Sequence, residues 1–217
     1  MTFIDISPAV RPGAPVWPGD QDFALVPRWS IDAGDSVSVA TITTTAHVGA
    51  HIDAPSHVIA GAASVFETPL DACVGTCLVL DVSDLVDRGR SPHGQAAGAA
   101  VRDRVERMAE EPVERLLLRH RARPANAWDP HLPGVDPELM RWFGDQGGRL
   151  MGIDIASFDP ADSKQLRCHR AGIEAGVVLL EGLDLAPAPE GAAELIALPL
   201  AWPGADASPV RAVLRIA

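Results

Sequence analysis

The chain has 217 residues with 18 basic against 29 acidic side chains, a formal charge of −11, and 47% apolar residues. This is ordinary globular composition at the length of one large domain, which argues against a disordered chain. The acidic surplus is a poor basis for neutralising phosphates, so no nucleic-acid partner is expected. No run of about 18 apolar residues occurs, which removes a membrane span. The first residues carry no basic leader, so no signal peptide is expected. Three cysteines, Cys73, Cys77 and Cys168, fit a reducing compartment better than a disulfide scaffold, and the chain is read as cytoplasmic. A single lysine, Lys164, against seventeen arginines reads as a compositional bias.

In chain order, residues 2–6 form a short strand that runs into a turn-rich stretch, Pro8 to Asp20. Strands follow at Phe23–Val26 and Val37–Thr45, the latter dominated by β-branched residues. Thr76–Val82 is an apolar run with the length of a buried strand. A helix is predicted over Gln95–Glu110 and closed by Pro112, then a strand over Arg115–Arg119 and a long loop over 120–136. Pro137 opens a short helix that ends near Gly147. Arg149–Ile153 reads as a strand, Ser163–Ala175 as a helix turned by Gly176, and Val177–Leu180 as a strand. Leu195–Leu200 and Val210–Ile216 complete the set. Strands lead and helices then intermix, which points to one α/β domain over 1–217 with a mixed sheet and flanking helices. No nucleophile elbow, P-loop or dinucleotide fingerprint is present.

Three of the seven histidines fall in His47-Val48-Gly49-Ala50-His51-Ile52-Asp53-Ala54-Pro55-Ser56-His57. Imidazole and carboxylate are the ligands that borderline divalent ions prefer. Four extended residues span about 13 Å, far more than two ligands of one ion can be apart, so the chain must bend between His47 and His51. Gly49 is the residue that permits the bend. A spacing of two puts His51 and Asp53 on one face of an extended segment. Pro55 disfavours helix at Ala54, which argues against a His-Glu-x-x-His arrangement. The expectation is a loop presenting His47, His51 and Asp53 to one point, with His57 beside them. His93, His120 and His131 lie in polar or Pro-rich loops and are read as ordinary residues. Cys73 and Cys77 lack a second pair to complete a tetrahedral site and are read as structural, as is Cys168. Trp29 and Trp202 are read as packed loop aromatics. Glu181 ends an apolar run, where a buried carboxylate needs a partner or a metal, although a solvent-facing strand end is also open to it. His169, by its position alone, is equally a ligand or an exposed helical residue.

The histidine-rich stretch resembles the signature of the cyclase-type metal hydrolases, and within them the bacterial kynurenine formamidases (arylformamidases). Further segments share the likeness: Asp5-Ile6-Ser7, Val16 to Asp20, Gly152-Ile153-Asp154, Asp159-Pro160-x-x-Ser163-Lys164, Leu180 to Leu183, and Gly204 to Ala212. It is weakest from Asp87 to Gly147. The resemblance implies the swivelling β/β/α-like cyclase fold and two divalent ions, usually zinc. His47 and His51 would hold the first ion and His169 the second, with Asp53 and Glu181 bridging them. His57 would be the acid/base and Trp17 would pack against an aromatic substrate. The reaction implied is hydrolysis of N-formyl-L-kynurenine to kynurenine and formate by a metal-bound hydroxide, in a homodimer. Ile155-Ala156-Ser157 and Arg167 to Arg170 depart from the commoner family wording, which bears on pocket detail and on no ligand position. Two other readings compete: the same dinuclear chemistry on isatin or a cyclic imide, and a metal-stabilised binding protein without turnover.

Overall fold

The computed structural model describes residues 1–86, 95–96, 98–121 and 127–216, the first short segment by its backbone alone. In chain order the strands are β1 (Thr2–Asp5), β2 (Ala24–Trp29), β3 (Val39–Thr43), β4 (His51–Asp53), β5 (Val74–Asp81), β6 (Gln95–Ala96) and β7 (Arg115–Arg119). They continue with β8 (Gly134–Val135), β9 (Leu150–Ile153), β10 (Val178–Glu181), β11 (Gly191–Ile196), β12 (Ala207–Pro209) and β13 (Val213–Ile216). The helices are α1 (Gly98–Met108), α2 (Pro137–Asp145) and α3 (Arg167–Glu174). Nine strands form one mixed sheet in the order β1-β13-β11-β5-β7-β9-β10-β4-β12. Its centre, β5-β7-β9-β10, is parallel, and antiparallel strands extend it on both sides. Each step across the parallel centre is bridged by one of the three helices, the connection that parallel neighbours require.

The central strands alternate with period two, and each face feeds its own core. Leu78, Leu80, Leu116, Leu118, Met151, Ile153 and Leu179 pack with Val101, Val105, Leu139, Phe143 and Ala171 of the helices. Val79, Leu117, Leu150 and Leu180 point the other way, toward Ile6, Ile52, Leu195 and Leu214. Strands buried on both faces read as continuous apolar runs, which is why Arg115–Arg119 and Leu150–Ile153 stand out in the sequence. Gly152 interrupts one run because a Cβ there would sit 2.5 Å from Leu117 Cδ2.

Several boundaries differ from the sequence-based expectation. The predicted loop around His51–Asp53 is instead strand β4, buried between β10 and β12. Three residues, two of them polar, are too short a pattern to read as a core strand. The helix expected over 163–175 begins at Arg167, because Leu166 is left-handed (φ 46°) and Asp159 accepts the amides of Cys168 and His169. The helix expected from Gln95 starts at Gly98, after the short strand β6 pairs with β8. The strand expected over 195–200 runs over 191–196, and Val210–Ile216 contributes only its last four residues. His93, residue 97 and residues 122–126 of the predicted 120–136 loop lie outside the described residues. Trp29 and Trp202 are 51% and 42% exposed rather than packed. No helix among the described residues is long and apolar enough to cross a membrane.

Candidate metal centre

The centre is assembled at the seam where β4 is inserted beside the parallel strands. Antiparallel pairing sets Glu181 directly opposite His51 and Leu179 opposite Asp53. Opposed residues share a face, so His51, Asp53 and Glu181 all point toward the helical side of the sheet while Ile52 and Leu180 fill the other core. α3 lies on that helical side and delivers His169. His47 arrives from the bend preceding β4, where Gly49 adopts φ +63° as the ligand spacing requires. Gly182, at φ +66°, is excluded from carrying a side chain, since a Cβ would fall 2.2 Å from the Gly49 carbonyl oxygen. The two ligand-bearing turns therefore touch backbone to backbone.

Five side chains converge there, four of them almost fully buried. His47 Nδ1 lies 3.0 Å and His51 Nε2 3.4 Å from Asp53 Oδ1, while His169 Nε2 lies 3.3 Å from Asp53 Oδ2. Glu181 repeats the division, with Oε2 3.5 Å from His51 Nε2 and Oε1 3.2 Å from His169 Nε2. Neither Asp53 oxygen makes a hydrogen bond although both are buried, an arrangement too costly to hold without a compensating charge. Two ligands each about 2.0–2.1 Å from one tetrahedral ion stand roughly 3.3 Å apart, so these separations suit donors aimed at a common cation. The residues fit a metal.

Outer contacts hold the imidazoles in the tautomers this requires. His51 Nδ1–H donates to the Gly49 carbonyl at 2.9 Å, leaving Nε2 to face the carboxylates. His169 Nδ1–H donates to Asp159 Oδ2 at 2.7 Å, with the same result for its Nε2. Asp159 thus caps α3 and orients its histidine at once. Burial disfavours charge on His47, but Asp53 and Asp206 outweigh it and raise its pKa to about 9. Burial likewise opposes charge on His51 and His169, and their carboxylate neighbours raise both. Desolvation would push Asp53 and Glu181 upward, Glu181 also feeling Asp53, yet the imidazoles hold both carboxylates down.

His57 stands on a 3₁₀ turn, Pro55–His57, with its ring 4.3 Å from that of His47 and 5.9 Å from that of His169. A nitrogen of His57 lies within 4.8 Å of donor atoms of His47 and Asp53, so it borders the cluster. Its Nδ1 is 3.6 Å from Asp206 Oδ2, which also contacts His47 Nε2 at 3.2 Å. The cluster opens into a cleft of about 810 Å³ reached by His57, Trp17 and Trp128. The two indoles pack edge to face with centroids 4.7 Å apart.

A family model named Cyclase matches residues 4–160. The chain belongs to the Cyclase family. It is 41% identical over 212 residues to the kynurenine formamidase of Maricaulis maris (strain MCS10), covering 97% of this chain and 96% of that protein. Among solved structures it resembles a predicted metal-dependent hydrolase from Bacillus stearothermophilus (TM-score 0.77, 26% identity, 98% of this chain and 97% of that one). Isatin hydrolase A from Labrenzia aggregata shares the fold at a TM-score of 0.80 and 24% identity, over 98% and 93% of the two chains. The two structures cover 98% of this chain each, so the likeness in fold extends over nearly all of it.

The expected ligand residues His47, His51, Asp53, His169 and Glu181 all lie in this one cluster of the Cyclase domain, with His57 and Trp17 beside it. The solvent-facing alternative for Glu181 fails, since only 3% of the residue is exposed. His120 is buried but stands apart, its Nδ1 3.2 Å from Asp154 Oδ1. Cys73, Cys77 and Cys168 are buried free thiols; burial pushes the first two up to about 11 and about 12. Sequence reasoning missed Asp206 and Trp128 and gave Asp159 no role. Asp159 lies well before the helix begins at Arg167, so its hold on the amides of Cys168 and His169 has no local capping signature in the sequence.

Proposed function

We propose that this protein is an arylformamidase that hydrolyses N-formyl-L-kynurenine to L-kynurenine and formate, with two zinc ions in the cluster. The observation that carries the reading is the division of Asp53, one oxygen toward His47 and His51 and the other toward His169. A carboxylate so shared suits a bridge between two cations, and Glu181 repeats the pattern. His47 and His51 would hold one ion, His169 the other. Ions held there supply Lewis acidity and lower the pKa of bound water toward about 7.

The chain's own residues supply the rest. His57 borders the cluster with a third of its side chain exposed to the cleft, placed to give a proton to the departing aryl nitrogen as acid/base. Asp206 Oδ2 lies 3.6 Å from its Nδ1. Trp17 offers an edge or face to the substrate ring, and the cleft volume lies within the range of small-molecule sites. The β2–β3 ribbon leaves Leu25, Val26, Trp29, Val39 and Ile42 between 40% and 61% exposed. An isolated two-stranded ribbon is marginal in water, which supports a homodimer that covers it. Three unpaired thiols support a cytoplasmic location.

Formate release from N-formyl-L-kynurenine, measured together with metal content on the same sample, tests the reading. Turnover should track two zinc ions per chain, stop on chelation and return with zinc. Turnover indifferent to chelation, or confined to isatin and cyclic imides in a parallel panel, overturns it.

A further inference from the structure

Three cations line the cleft: Arg11, Arg121 and Lys164. Arg121 is already neutralised, its Nη2 2.8 Å from Asp129 Oδ2. Arg11 belongs to the turn-rich 8–20 segment, where its carbonyl closes a turn with Ala14 and its side chain is held by no partner among the described residues. Lys164 likewise has no ion pair or hydrogen bond among the described residues, but its backbone is anchored. Ser163 N–H donates to the Pro160 carbonyl at 2.9 Å and Leu166 N–H to Ser163 Oγ at 3.2 Å. The same short segment starts at Asp159, which fixes His169, so the position of Lys164 is tied to that of the metal centre.

The rest of the chain sharpens the contrast. The described ion pairs of basic side chains on the surface use arginine: Arg104–Asp84, Arg119–Asp81, Arg149–Asp71, Arg211–Asp5 and Arg215–Glu194 among them. The one lysine in the sequence lines the cleft without an ion pair among the described residues. Arginine's planar fork suits a fixed carboxylate partner, whereas an ammonium on a flexible stem suits a charge that arrives and leaves. Asp20 and Asp184 on the cleft walls, in a chain of charge −11, disfavour a carboxylate there unless a cation of the wall meets it.

We propose that Lys164 binds the carboxylate of the substrate's amino-acid tail and so determines specificity for aryl formamides that carry this carboxylate over those that lack it, an inference that rests on the formamidase reading. The measurement is kcat/KM for N-formyl-L-kynurenine relative to that for 2-formamidoacetophenone, which has the same ring, ketone and formamide but no tail. Lys164→Gln should lower this ratio by about 10- to 100-fold, the worth of one charge-assisted hydrogen bond, chiefly through KM. Lys164→Arg should recover most of the ratio, and Arg11→Gln should leave it within about twofold. A ratio unmoved by Lys164→Gln, or lowered instead by Arg11→Gln, overturns the assignment. Wild-type protein that cleaves both formamides equally well also overturns it while leaving the formamidase reading standing. Failure to cleave either formamide sinks that reading itself.

Discussion

The floor and the walls of the cleft are built on opposite plans. The floor is a set of buried charged and polar side chains whose positions follow from strand register: Glu181 opposite His51, Asp53 two residues on, and His169 laid over them by a capped helix. The walls are loops, where Trp17 and Trp128 meet edge to face and Lys164 and Arg11 are exposed. A floor placed by the sheet cannot move without moving the core, whereas a wall on loops can change one side chain at a time. The difference teaches where chemistry and selectivity reside: a hydrolase named for isatin shares this fold, and a difference in substrate is expected in the walls.

The sharpest way to break this contrast is to attack the floor. Asp53→Ala should abolish metal binding and reduce turnover to background, because the two proposed ion positions would lose the carboxylate assigned to both; metal analysis of the purified variant checks it. His57→Ala should keep its metal and lose about 10²- to 10⁴-fold in kcat, the usual worth of a positioned acid/base. A His57 variant stripped of metal would make the residue a ligand instead. Asp159→Ala should weaken metal binding by about 10- to 100-fold, as loss of an orienting partner does, measured by competition with a chelating dye. At the wall, Trp128→Ala should raise KM by only about 2- to 10-fold, the worth of an aromatic contact, with kcat and metal content retained.

A pH experiment sharpens the same comparison through stability. His47 has its pKa raised to about 9, above the ordinary 6.5. Its contribution to the metal-free fold is therefore complete below pH 6.5 and is lost as pH climbs through 9. The chelated protein should melt at a lower temperature at pH 9 than at pH 7. The zinc-loaded protein, whose imidazoles are ligands rather than cations, should show a smaller drop; thermal melts of both forms at the two pH values decide the point.

How much of this was legible in the sequence follows the same division. The parallel strands were visible because both of their faces are buried, which turns Leu116–Leu118 and Leu78–Leu80 into unbroken apolar runs. The bend at Gly49 and the shared face of His51 and Asp53 followed from ligand spacing alone. Strand β4 was hidden because the residues that make it functional, an imidazole and a carboxylate on either side of Ile52, erase the apolar pattern by which buried strands are recognised. Asp206 was hidden for a different reason. It reaches His47 and His57 only through the pairing of β12 with β4, a contact across more than 150 residues that no local pattern announces. Trp128 likewise meets Trp17 only once the chain has folded.

The chain contains five tryptophans and no tyrosine, and two of those indoles stand 4.7 Å apart in the cleft. Ultraviolet emission from the native protein is thus purely indole emission, with part of it arising where a ligand would dock. Occupancy of the cleft becomes readable as a change in intrinsic fluorescence, with no label attached and no turnover required.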